Sequence, residues 1–176
     1  MRLTVENKEI SKTCCFFGHR VITKTEALIK KLKENIETLV TTHGVYIFLF
    51  GSKSQFNSLC YQIVTELKKR YSNIERIYVR AEFPYIDEAY KTFLLSGYED
   101  TYYPDNIKKA GKAVYIERNY EMIKSSRFCI CYYDEQYTPP KRKRSKKDLS
   151  DYPARSGTSL AYEYAIKKCE VINILS

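Results

Sequence analysis

Five apolar runs separated by helical patterns constrain this chain more than any other feature. Thr13 to Phe17, Val45 to Phe50, Ile74 to Arg80, Arg127 to Tyr133 and the segment Val171-Ile172-Asn173-Ile174-Leu175 each read as a buried strand. The patterns between them repeat at helical spacing, as Leu28, Leu32, Ile36 and Leu39 do. Continuous apolar strands alternating with helices form a parallel sheet covered on both faces, because a half-exposed strand would alternate polar and apolar residues. The expectation is an α/β fold: a Rossmann-like, doubly wound, mainly parallel five-stranded sheet flanked by helices.

Local signals set the boundaries. Thr23 starts the first helix, with Glu26 three residues later as a capping box, and Gly44 ends it. A second helix runs from about Ser54 to Tyr71, with Leu59, Ile63, Val64 and Leu67 on one face. Residues 81–110 are less regular, rich in aromatic residues and interrupted by Pro84 and Pro104. Lys112 to Ser125 reads as a helix, and the last helix opens at Ser156-Gly157-Thr158 and runs to Lys168.

The 176 residues suit one domain, 1–176, with a basic loop over 134–155 inserted before the last helix. An apolar content of 44% supports a packed core, and no run approaches the length of a membrane span. Residues 1–13 carry no signal-peptide core, so a cytoplasmic protein is expected. The six cysteines lack zinc-site spacing and are expected to be reduced and mostly buried; no metal or cofactor is expected. Net charge is +9, but Lys141, Arg142, Lys143, Arg144, Lys146 and Lys147 concentrate most of it in one loop. That loop either grips nucleic acid, folds over an anionic ligand, or is simply solvated.

Three glycine turns carry the candidate chemistry. In doubly wound sheets ligands sit outside the carboxyl ends of the strands, and helix N-termini favour anions. Gly18, His19 and Arg20 follow the first strand: backbone and Arg20 would hold phosphate, while His19 donates to the ligand or acts as acid/base, against an ordinary turn with a solvated arginine. Gly51, Ser52, Lys53 and Ser54 follow the second strand and either bind phosphate or ribose or, for Ser54, cap the next helix. The Walker spacing is absent. Arg80 and Glu82 end the third strand and either contact ribose hydroxyls or pair at the surface. Glu117, Arg118 and Asn119 lie in a helical pattern and either face the cleft or are solvated; Glu117 and Arg118 stand about 100° apart around the helix. Arg155, Ser156, Gly157 and Thr158 complete the anion-binding set.

These blocks, in this order, resemble the SLOG superfamily, Rossmann-like proteins related to the LOG (lysine decarboxylase-like) nucleotide phosphoribohydrolases, and within it the YpsA-type branch of bacteria and phages. The matching stretches are Cys14 to Arg20, Phe50 to Phe56, Ile77 to Glu82, Glu117 to Met122, and Ser156-Gly157-Thr158 with Ala161, Tyr164 and Ala165. The resemblance implies a nucleotide-derived ligand and a homo-oligomer. Members either release bases from nucleoside monophosphates or sense nucleotide signals, some of the ADP-ribose or cyclic ADP-ribose type.

The last block decides between these. Hydrolases of the superfamily carry Pro-Gly-Gly-x-Gly-Thr and a glutamate three residues on. Here the frame reads Pro153-Ala154-Arg155-Ser156-Gly157-Thr158, and the glutamate position is Ala161. Glu163 lies two residues further, about 200° around a helix, and cannot replace it. The expected function is binding of a phosphate-containing, ADP-ribose-like signal as a sensor or sequestering protein, in phage–host conflict. The alternatives are an N-glycosidic hydrolase with a relocated carboxylate, Glu117 or Glu82, and a nucleic-acid binder acting through residues 141–147. No membrane association is expected.

Overall fold

A computed structural model describes residues 7–108, 111–137 and 157–176. A short 3-10 turn, Asn7–Lys12, leads into β1 (Thr13–Gly18), α1 (Glu26–His43), β2 (Ile47–Phe50) and α2 (Gln55–Lys68). Then follow β3 (Glu75–Val79), α3 (Glu88–Leu95), β4 (Asp100–Tyr102), α4 (Ala113–Lys124), β5 (Phe128–Tyr132), α5 (Gly157–Lys168) and β6 (Glu170–Asn173). The strands form one sheet in the order β4-β3-β2-β1-β5-β6. All five pairings are parallel. The chain winds outward from β1 to β4, then returns to β5 on the other side of β1. The switch point of the winding therefore lies between β1 and β5.

Side chains on successive strand residues point to opposite faces, and both faces here are apolar. Cys14, Phe16, Phe48, Phe50, Phe128 and Ile130 pack under α1 and α2, with Leu32, Ile36, Phe56, Ile63 and Leu67 above them. Cys15, Phe17, Leu49, Val79 and Cys129 pack under α4 and α5, against Met122, Ile123, Ala161 and Ala165. Each fully buried large side chain stabilises the fold by about 1.5–3 kcal/mol of transfer free energy. All six cysteines are free thiols, and all but Cys169 are buried.

Three expectations need correction. The sheet has six strands, not five: Asp100–Tyr102 forms an edge strand with one buried residue, Tyr102, and so leaves no apolar run in the sequence. Residues 81–110 also contain α3, capped by Asp87 accepting from the Tyr90 N–H; only its Leu94 is buried, so no apolar stripe announces it. The cap of α1 is Thr25, whose hydroxyl accepts from the Leu28 N–H at 3.0 Å, rather than Thr23. Glu26 is then the first helical residue, too early for a capping box. Gly44 does end α1, at φ 67°. Among the described residues no helix is long and apolar enough to cross a membrane.

Candidate functional site at the carboxyl edge of the sheet

At the switch point, β1 ends in Gly18 and is followed by His19, whose side chain is 1% exposed. The loop after β5 closes over it. The Asp134 N–H donates to His19 Nε2 at 2.8 Å. The Tyr137 ring stacks on the imidazole with centroids 3.9 Å apart, and Tyr132 meets it edge-on. Asp134 holds the turn by accepting from the Gln136 N–H through its carboxylate and from the Tyr137 N–H through its carbonyl. Asn173, at the end of β6, exchanges hydrogen bonds with the Tyr133 backbone at 3.0 and 3.2 Å, which fixes where β5 ends.

These contacts assign the tautomer. A nitrogen that accepts from a backbone N–H carries no proton, so the proton of the neutral ring is on Nδ1. Nδ1 is buried without a hydrogen-bond partner. Burial lowers the pKa of His19, opposed by the nearby Asp134 carboxylate, so the ring is neutral at pH 7. A buried N–H donor without an acceptor costs about 1–3 kcal/mol.

The first turn of α5 is tied to the same place: Thr158 donates from its hydroxyl to the Gly18 carbonyl at 3.0 Å. Among the described residues a Cβ at Gly157 would meet nothing within 4 Å. Four backbone N–H groups at such a terminus lack partners within the helix. Arg155 and Ser156, and the basic residues 141–147, lie outside the described residues.

The second glycine turn serves packing more than ligand approach. A Cβ at Gly51 would stand 2.9 Å from Arg118 Nη1 and from the Val79 carbonyl. Arg118 is 4% exposed and donates through Nη1 to the carbonyls of Gly51 at 2.8 Å and Val79 at 3.3 Å, and through Nε to Asn119 Oδ1. Burial lowers its pKa to about 10, with Tyr78 and Glu82 opposing. It ties α4 to the ends of β2 and β3. Likewise, a Cβ at Gly18 would fall 2.3 Å from the Phe56 ring, so that glycine admits α2. Ser54 caps α2 by accepting from the Asn57 N–H at 3.0 Å, and Ser52 Oγ accepts from the Ser54 N–H. Arg20 and Lys53 are exposed.

The two candidate carboxylates stand apart from His19. Glu82, after β3, accepts from the Tyr115 hydroxyl. Glu117, on α4, accepts from the Lys108 N–H at 3.3 Å. Ala161, at the position where the resemblance puts a hydrolase glutamate, is 1% exposed in the core under α5. Arg80 follows β3: its Nη1 donates to the Phe83 carbonyl at 2.7 Å while its Nε is buried without a partner.

Sequence reasoning missed Asp134, Tyr137 and Asn57. Asn57 Oδ1 accepts from the Gly51 N–H at 3.4 Å, and its Nδ2 is another buried donor without a partner. The available signals were an acidic residue directly after an apolar strand and an asparagine one turn into an apolar helix. The unpartnered donors His19 Nδ1, Asn57 Nδ2 and Arg80 Nε thus follow β1, β2 and β3 along one edge. Among the described residues no group of three or more metal-ligating side chains occurs.

No protein-family model and no curated protein matches the sequence. Among solved structures, the chain is similar to the X-ray structure of DNA processing protein A (DprA) from Streptococcus pneumoniae, with a TM-score of 0.53 and 14% identity. The match covers 94% of this chain and 51% of that one, so the chain spans about half the length of that protein. At this identity the likeness is one of fold alone: a mainly parallel Rossmann-like sheet.

Proposed function

We propose that the chain binds a nucleotide-derived, phosphate-containing ligand at the carboxyl edge between β1 and β5, and holds it without turning it over. The observation that carries this reading is His19: a neutral, buried imidazole whose Nδ1–H has no acceptor, beside the first turn of α5. A phosphate oxygen that reaches Nδ1, which the β5 loop covers in this structure, supplies the missing acceptor and benefits from the helix terminus. Arg20 and Lys53 are exposed cations on the same edge, and Arg155 joins them on the sequence reading.

Holding without turnover follows from the carboxylates. General acid/base work on a glycosidic bond requires a carboxyl group within hydrogen-bond reach of it. Ala161 supplies none, Glu82 and Glu117 stand beyond β3 and on α4 with partners of their own, and the Asp134 carboxylate beside His19 is engaged in holding its own turn through the Gln136 N–H. The YpsA-type resemblance favours an ADP-ribose or cyclic ADP-ribose-like signal as the ligand, and a homo-oligomeric sensor or sequestering protein.

A thermal-shift panel of nucleoside monophosphates, ADP-ribose and cyclic ADP-ribose isomers tests the reading, with chromatography of the products. At least one phosphorylated nucleotide should raise the melting temperature, by mass action, and be recovered intact after denaturation. Release of free base overturns the non-hydrolytic reading. Absence of any shift, together with DNA or RNA affinity that falls steeply with salt and vanishes when residues 141–147 are neutralised, favours the nucleic-acid alternative.

A further inference from the structure

The edge holds a second feature that the phosphate reading does not use. A cavity of about 470 Å³ lies beyond the ends of β3 and β4, bordered by Glu82, Phe83, Tyr103, Gly111, Lys112 and Tyr115. Phe83 is the one described non-glycine residue with positive φ, at 61°, and it precedes Pro84. Sterics disfavour that conformation for a bulky residue, and a following proline favours extended backbone instead. The strain does not serve to bury the ring, which is 59% exposed. The Arg80 guanidinium holds the turn through the Phe83 carbonyl. Strain held in place by surrounding contacts, at an exposed aromatic ring beside a cavity, points to recognition.

The lining contributed by α4 agrees. Tyr115 is 40% exposed, lies against the Arg118 guanidinium at 5.8 Å, and donates its hydroxyl to Glu82. The cavity thus offers aromatic faces for a planar ring and one carboxylate for its edge. Gly111, at φ 69° with no described residue within 4 Å of an added Cβ, turns the chain into α4, whose N-cap Lys112 makes no side-chain cap hydrogen bond.

We propose that this cavity is a subsite for a nucleobase with an amino group on its edge, such as adenine. Stacking on Phe83 and Tyr115 supplies affinity, and the Glu82 carboxylate accepts from the exocyclic N–H. Uracil is disfavoured because it has no exocyclic N–H, and its one edge donor, N3–H, is flanked by two carbonyl oxygens that the carboxylate repels. The proposal rests on the reading of the chain as a nucleotide binder and deepens it. Neighbouring strands are about 4.8 Å apart, so the ends of β1 and β3 are separated by roughly 10 Å. That separation suits a ligand with phosphate and base at opposite ends of a sugar.

The test uses free nucleosides, which lack phosphate. Backbone amide shifts of the full chain are followed by NMR during titration with adenosine, uridine and, separately, ribose 5-phosphate. Adenosine should saturably shift residues 81–83 and 111–115, with uridine much weaker. Phe83→Ala should weaken adenosine by roughly tenfold, the scale of one lost stacking partner, without lowering the melting temperature. Glu82→Gln should narrow the gap between adenosine and uridine. The proposal is overturned if adenosine leaves those amides unmoved, if uridine matches it, or if Phe83→Ala changes only the oligomeric state. Ribose 5-phosphate reports on residues 18–19 and 157–158, so its failure counts against the phosphate site alone.

Discussion

Arg118 Nη1 donates to the Gly51 carbonyl at 2.8 Å, and a Cβ at Gly51 would stand 2.9 Å from the same nitrogen. The glycine and the arginine are therefore one device joining α4 to the end of β2. Gly51→Ala should destabilise the protein by about 1–3 kcal/mol, the usual cost of overpacking a close contact. Urea unfolding measures this. In an Arg118→Met background the cost of Gly51→Ala should shrink but not vanish, because the Val79 carbonyl also lies 2.9 Å from the added Cβ. Equal costs in both backgrounds would show that Arg118 does not set the glycine requirement.

Gly18 and Phe56 make a similar pair. An alanine Cβ at 18 would overlap the Phe56 ring at 2.3 Å, so α2 must move or Phe56 must leave its rotamer. Gly18→Ala should cost about 2 kcal/mol or more by denaturant midpoint. Shortening Phe56 to Leu in the same chain should recover part of that loss, although Phe56→Leu alone destabilises by opening a cavity.

These two pairs show where sequence reading reaches its end. Strands such as Phe16-Phe17 and Ile47–Phe50 are legible because both faces of the sheet are covered, which leaves an uninterrupted apolar run. The edge strand β4 buries only Tyr102 and leaves no such trace. Gly18 and Gly51 stand out as glycines after strands, but sequence cannot tell a ligand's approach from a neighbour's. The neighbours, Phe56 and Arg118, are 38 and 67 residues away. Asp134 and Tyr137 belong to the site only because the β5 loop folds onto His19 across the switch point, a contact between residues more than 100 apart.

His19 gives stability a pH dependence of known sign. Its pKa in the folded chain is lowered from 6.5, first by burial. The unfolded chain therefore binds the proton more readily, and protonation favours unfolding. The stabilisation is fully present above pH 6.5 and is lost as pH falls below that value, until the folded-state imidazole also protonates. Unfolding curves across this range should show the slope in the wild type and a smaller one in His19→Gln. A histidine proton titration by NMR with a midpoint at or above 6.5 would remove the basis for the prediction.

Ala161 tests the distinction between holding and hydrolysing. It lies one turn into α5 and packs against the face of the sheet that carries Cys15, Phe17 and Cys129. Ala161→Glu would restore the carboxylate at the position the hydrolase-type motif requires, but would do so in a site closed to water. A carboxylate forced into apolar surroundings raises its pKa and destabilises the fold, here by about 1–3 kcal/mol once partial escape toward the helix terminus is allowed. The variant should therefore unfold at lower urea concentration and still release no free base from nucleoside monophosphates. Release of base by Ala161→Glu, at rates the wild type does not reach, would mean that position 161 faces the ligand and that loss of this one carboxylate separates the chain from a working hydrolase.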